Sequence, residues 1–123
     1  AELCESLRLD TGKKVTALSK GTIKRVLIML ALSRKAALYL LDEPFAGIDP
    51  LGTSQIIKTI LTGVREDASV LIATHQVKNI ETIVDDILFL NNGRLVLSDS
   101  SENVREFRGK SVEECYLEVF SHA

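Results

Sequence analysis

Apolar residues fall in short blocks whose spacing alternates along the chain between helical and strand-like. Leu3 and Leu7, one turn apart, predict the end of a short helix over 1–9, and Asp10-Thr11-Gly12-Lys13-Lys14 predicts a loop. Ile23, Val26, Leu27 and Leu30 follow the i, i+3, i+4, i+7 rule and predict a helix from about Thr22 to Arg34. Ile28, Met29, Ala31 and Leu32 widen that face, so the helix is expected to be buried nearly all round. Ala37-Leu38-Tyr39-Leu40-Leu41 is a continuous apolar run and predicts a strand buried on both faces. Asp49-Pro50 suits a helix start, Asp at the N-cap and Pro at the first helical position, with Ile57, Ile60, Leu61 and Val64 on one face. A second buried strand is expected over Ser69 to Ala73, then a short helix carrying Val77, Ile80 and Val84. Ile87 to Leu90, the turn Asn91-Asn92-Gly93 and Leu95 to Leu97 predict a hairpin, because Asn-Gly accepts the positive φ of a type I′ turn. Two short helices close the chain, the second opening on the capping box Ser111/Glu114 and burying Val112, Cys115, Tyr116 and Val119. Strand, helix, strand, helix, strand is the α/β class.

The 123 residues leave room for one domain, with 46% apolar and 26% charged residues, as in a folded globular chain. Fifteen Lys and Arg against 17 Asp and Glu give a net charge of −2, which argues against a surface built for nucleic acid or anionic lipid. The longest apolar run, Val26 to Leu32, is too short to span a bilayer. The opening residues, punctuated by Glu2, Glu5, Arg8 and Asp10, do not read as a secretory signal. Cys4 and Cys115 form neither a disulfide framework nor a metal motif, which makes a reducing compartment the default.

Three places carry candidate chemistry. Asp42 and Glu43 end an apolar strand, the edge where open α/β sheets bind ligands. One carboxylate there suits Mg²⁺ and the other suits the orientation or deprotonation of a water. The competing reading is a pair of strand-end polar residues before a turn proline, and for that dipeptide alone it is the stronger one. Leu18-Ser19-Lys20-Gly21-Thr22 places a hydroxyl and a glycine at a helix start, an anion site in principle and a plain N-cap in most proteins. His75 follows the second strand; it can donate to a phosphate oxygen, or be an ordinary surface histidine.

Order and spacing change that balance. LSKGT, ALYLLDEP, AGIDP and ATH succeed one another over some sixty residues, and together they resemble the second half of the nucleotide-binding domain of the ABC (ATP-binding cassette) ATPases. On that resemblance Leu18–Thr22 matches the signature loop, Leu38–Asp42 the Walker B strand with Glu43 as catalytic glutamate, Ala46–Asp49 the D-loop and His75 the switch histidine. The ending from Gly109 to Phe120 resembles the tail of ABC subunits of drug- and antibiotic-export systems. Lys20 stands where the signature usually has its first glycine, Thr22 replaces glutamine, and Ala46 replaces the usual D-loop serine. No GxxxxGK[ST] phosphate loop occurs; Gly109-Lys110-Ser111 is a decoy, with Val104 where the first glycine belongs.

The resemblance implies a partial P-loop NTPase (ABC ATPase) fold of the α/β class, a mainly parallel sheet flanked by helices with a C-terminal hairpin and without its Walker A half. Residues 1–123 then form the C-terminal part of one nucleotide-binding domain: about 1–35 the end of the helical subdomain and the signature helix, about 36–98 the Walker B-to-hairpin core, and about 99–123 the C-terminal helices. The implied protein is an ABC transporter ATPase subunit hydrolysing ATP with Mg²⁺ at a dimer interface. Asp42 would hold the metal, Glu43 and His75 would be catalytic, and Ser19, Lys20, Gly21, Thr22 and Asp49 would serve the nucleotide. The implied partners are a second ABC ATPase subunit and transmembrane permease subunits, with no nucleic acid. The implied location is the cytoplasmic face of the membrane. A chain without Walker A is expected to be inactive by itself. It is also expected to leave an open slot between the strand ending at His75 and the strand Ile87–Leu90, where the family has the strand feeding the phosphate loop. The alternatives are a soluble ABC ATPase of DNA repair or translation, and a non-catalytic half-domain acting only in dimerisation.

Overall fold

The computed structural model describes residues 12, 14 and 19–121; the expected short helix over 1–9, most of the loop after it and Leu18 lie outside the described residues. The chain divides into two compact units, 1–75 and 76–123. No helix among the described residues is long and apolar enough to cross a membrane.

The first unit contains α1 (Lys20–Leu32), β1 (Leu38–Asp42), α2 (Pro50–Gly63) and β2 (Ser69–Ala73). β1 and β2 pair in parallel, Leu38 opposite Ser69 and Asp42 opposite Ala73, and α2 makes the crossover between them. α1 packs on α2 and β1. The core is Ile28, Leu32, Tyr39, Leu41, Phe45, Ile56 and Ile60. Tyr39 keeps its ring inside and satisfies its hydroxyl by donating to the Arg34 carbonyl.

Three expectations about burial are corrected here. α1 buries Ile28 and Leu32, one turn apart, while Leu27 and Leu30 stay exposed. Its apolar residues ring the helix, so the neighbours α2 and β1, and not the periodicity, choose the face. α2 buries Thr53, Ile56, Thr59 and Ile60 and leaves Leu61 exposed, so the buried face is rotated from the expected one. Two threonines fit inside because a short hydroxyl can bond locally; that of Thr59 donates to the Gln55 carbonyl at 2.8 Å. The strands are not buried on both faces either. β1 alternates, with Tyr39 and Leu41 inside and Leu40 68% exposed, and β2 exposes Leu71. Elements of this unit cover one face of the pair; nothing among its described residues covers the other.

The second unit contains α3 (Val77–Ile80), β3 (Asp86–Asn91), β4 (Arg94–Ser100), α4 (Ser101–Glu106) and α5 (Val112–Ser121). β3 and β4 form the expected antiparallel hairpin, with Asn91 opposite Arg94, and the two loop residues Asn92 and Gly93 both take positive φ. Its inner face, Ile87 and Phe89, packs on Val104, Val112 and Cys115. Phe89, Tyr116 and Phe120 add an aromatic cluster with ring centroids 4.6–5.9 Å apart. α4 begins where β4 ends, because the Ser100 hydroxyl accepts from Asn103 N at 3.0 Å and caps it. The Ser111/Glu114 capping box closes in both directions at 3.0 and 2.9 Å. Among the described residues the strands form two two-stranded sheets, β1-β2 in the first unit and β3-β4 in the second.

One-sided burial in the first unit has a measurable consequence. Ile56→Ala, at a fully buried site, costs about 2–5 kcal/mol, whereas Leu40→Ala stays within about 0.5 kcal/mol. Urea titrations of the two variants compare them; equal losses would mean that Leu40 is buried.

Candidate functional site

Glu43 stands one residue past β1 with a φ of 45°, a left-handed conformation that a side-chain-bearing residue adopts at a cost of about 1–3 kcal/mol. Its own amide donates to the Ala73 carbonyl at 2.7 Å, which extends the parallel ladder by one rung. That rung sets Glu43 across from the chain leaving β2, Thr74 and His75. One carboxylate oxygen, Oε1, accepts from the His75 amide at 3.0 Å and lies 2.7 Å from His75 Nδ1. The other, Oε2, accepts from the Thr74 hydroxyl at 3.0 Å. An ionised carboxylate only accepts, so Nδ1 carries the proton in this pair. The remaining ring nitrogen, Nε2, is then an acceptor on a neutral imidazole and a donor only on an imidazolium.

Burial pushes the Glu43 carboxyl up, but the hydrogen bonds from His75 and Thr74 and the attraction of the ring outweigh it, holding the group below its ordinary value of 4.5. Glu43 is half-buried and His75 is largely exposed, so the pair meets solvent at the C-terminal edge of the strands. Asp42, the last residue of β1, is exposed, and its carboxylate has no hydrogen-bond or ion-pair partner among the described residues. No cluster of three or more His, Cys, Asp or Glu placed to hold a metal occurs among the described residues.

The start of α1 forms a second part of the site. Ser19 is its N-cap and accepts from Thr22 N at 3.2 Å, with the two hydroxyls 2.8 Å apart. Lys20 is exposed in the first turn. Gly21 has an ordinary backbone, and a Cβ added to it would meet nothing within 4 Å. Neither strain nor packing among the described residues therefore asks for glycine there, although glycine weakens a helix by up to about 1 kcal/mol relative to alanine. Two side chains of α1 tie it to the chain beyond β1. Lys24 Nζ donates to the Ala46 carbonyl at 3.4 Å, and Arg25 donates to Gln55 on α2 at 3.1 Å and to Thr22 at 3.2 Å.

Asp49 caps α2 by accepting from Gly52 N at 3.0 Å. The structure thus brings Glu43 and His75 together, sets Asp42 beside them along the backbone, and places Ser19, Lys20, Gly21 and Thr22 at the start of α1. Lys24, through the Ala46 carbonyl, and Arg25, through Gln55, join the start of α1 to the chain beyond β1. The residue that sequence reasoning passed over is Thr74, visible then only as the polar neighbour of His75 at a strand end.

Comparisons with known proteins give a consistent picture. No protein-family profile matches the chain. The ABC-type transporter ATP-binding protein EcsA of Bacillus subtilis (strain 168) is 33% identical over 104 residues, which is 82% of this chain and 42% of that protein. The phosphate import ATP-binding protein PstB 1 of Ligilactobacillus salivarius (strain UCC118) is 31% identical over 85% of this chain and 39% of its own length. A solved ATP-binding subunit of an ABC transporter superposes with a TM-score of 0.81 at 28% identity, covering 97% of this chain and 52% of that one. The chain therefore spans less than half of the curated relatives and about half of the solved subunit.

The Glu43 contacts give a pH dependence of known sign. The carboxyl is held below its ordinary value of 4.5, so its stabilising contribution is fully present above that value and is lost as pH falls through the lower, folded-state value. Protection of the His75 amide against hydrogen exchange should weaken in that acid window and should lose its pH dependence in Glu43→Gln; an unchanged profile in the variant would detach the effect from Glu43.

Proposed function

From a partial ABC ATPase fold, and from ABC transporter ATP-binding homologues that cover most of the chain, we propose that residues 1–123 are the C-terminal part of the ATPase subunit of an ABC transporter. The observation that supports it most is the carboxylate of Glu43 bound to His75 at the C-terminal edge of a parallel strand pair. In this reading the complete subunit binds ATP, pairs with a second ABC ATPase subunit and couples to transmembrane permease subunits at the cytoplasmic face of the membrane. Residues about 1–35 are the end of the helical subdomain and the signature helix, about 36–98 the Walker B-to-hairpin core and about 99–123 the C-terminal helices. The tail from Gly109 to Phe120 supports an export system, although a matched relative bears a phosphate-import name.

Hydrolysis joins a water oxygen to the γ-phosphorus as the bond to the bridging oxygen breaks; ADP leaves with that electron pair, and a water proton passes to Glu43 or to a phosphate oxygen. Most of the catalytic work in such a transfer is positioning and charge stabilisation. Glu43 orients the water or takes its proton, and His75, as the imidazolium, donates from Nε2 to a γ-phosphate oxygen. Asp42 fits Mg²⁺: it is an exposed hard-oxygen ligand with no competing partner among the described residues, and Mg²⁺ commonly takes one or two carboxylates together with substrate phosphates. When bound, the ion would offset phosphate charge. Ser19, Lys20, Gly21 and Thr22 serve the γ-phosphate of the ATP held by the other subunit, where the free N–H groups and positive dipole end of α1 favour an anion. The open space at Gly21 supports this, because a backbone without a Cβ admits the phosphate closely. Asp49 links the two sites across the interface.

Phosphate release, thermal unfolding and mixed dimers test this reading. In the complete subunit, Glu43→Gln should retain ATP binding and slow hydrolysis by about 10²–10⁴-fold, measured by phosphate release; parental turnover would remove Glu43 from catalysis. These 123 residues by themselves should release no phosphate above a Glu43→Gln control. Gly21→Ala should be neutral or stabilising in thermal unfolding, since the added methyl has room. In a mixed dimer it should impair the nucleotide site whose phosphate loop belongs to the other subunit. Impairment confined to the variant's own phosphate-loop site would contradict the shared-site geometry.

A further inference from the structure

Counting lone pairs around Glu43 identifies which of its oxygens is left to act. A carboxylate oxygen offers two acceptor positions. Both positions on Oε1 are taken by His75, one by its amide and one by Nδ1. One position on Oε2 is taken by the Thr74 hydroxyl, which leaves one acceptor position on Oε2 within this contact set. The carboxylate plane is pinned at both ends by two consecutive residues, from a backbone position that is itself left-handed.

We propose that Thr74 is a positioning residue that presents Oε2 of Glu43 to the attacking water. The inference rests on the ATPase reading and deepens it. A carboxylate held only at Oε1 swings about that anchor and spreads Oε2 over several directions. The Thr74 bond removes that freedom. Thr74 contacts neither nucleotide nor phosphorus in this assignment; it works through Glu43. Valine keeps the shape of the side chain and loses the bond, whereas serine keeps the bond and loses a methyl.

The test uses the complete subunit carrying this sequence, with ATP turnover measured for Thr74→Val, Thr74→Ser and Glu43→Gln. Thr74→Val should lower kcat by about 10–100-fold, the scale of a modest misplacement of a reacting group, with KM for ATP within about twofold. Thr74→Ser should return kcat to within about threefold of the parent, a rescue that a packing role for the methyl would not produce. Unfolding midpoints of the variants separate a folding defect from a catalytic one. Parental kcat in Thr74→Val alongside a strong loss in Glu43→Gln overturns the Thr74 assignment and leaves the ATPase reading standing. So does a serine variant as poor as the valine one. Full activity in Glu43→Gln, or no turnover by the parent, overturns the reading itself and this assignment with it.

Discussion

The register of β1 against β2 is the constraint on which the rest of the site depends. Asp42 lies opposite Ala73, and the amide of Glu43 closes on the Ala73 carbonyl. A slip of one residue would turn every side chain of the strand to the other face. It would expose Tyr39 and Leu41, bury Leu40, and carry Glu43 away from His75. The packing of α1 and α2 on the inner face therefore also sets the chemistry at the strand ends. Core and site are specified by one pairing, and the two apolar side chains of β1 that face inward hold the carboxylate at its edge.

Much of this was legible from residue types with narrow backbone or capping demands. Asp49-Pro50, Asn92-Gly93 and Ser111/Glu114 each offer few structural choices, and each forms what its chemistry suggests. The α/β class came from the order of apolar blocks, and the partial ABC ATPase fold from four motifs in order. Burial was less legible. Leu27, Leu30, Leu40 and Leu61 are as apolar as the residues that are buried, and no pattern within an element tells which neighbours will cover it. The clamp on Glu43 was hidden for a related reason. It joins residues 31 and 32 positions apart, through a backbone conformation that glutamate rarely adopts.

The site couples two kinds of order. His75 supplies a ring nitrogen and a main-chain amide to the same oxygen, so a change of ring orientation costs one bond of the two. Lys24 and Arg25 tie the start of α1 to the loop and helix after β1 through neutral acceptors, a carbonyl and an amide oxygen. Such bonds are less sensitive to salt than ion pairs, which keeps the relation between the helix start and the strand end stable across ionic conditions.

At the head of α2 the cap leaves its mark on sequence drift. A Cβ at Gly52 would fall 2.6 Å from Asp49 Oδ1 and 2.7 Å from the Ile48 side chain, because the carboxylate has folded over the glycine to reach its amide. Positions 49 and 52 are thus one unit of inheritance: a residue larger than glycine at 52 becomes tolerable only after the aspartate has gone or turned away. Among divergent copies of this chain the two positions should be kept together or abandoned together, and an aspartate retained at 49 opposite a bulky residue at 52 would signal that its carboxylate has left the helix for another partner.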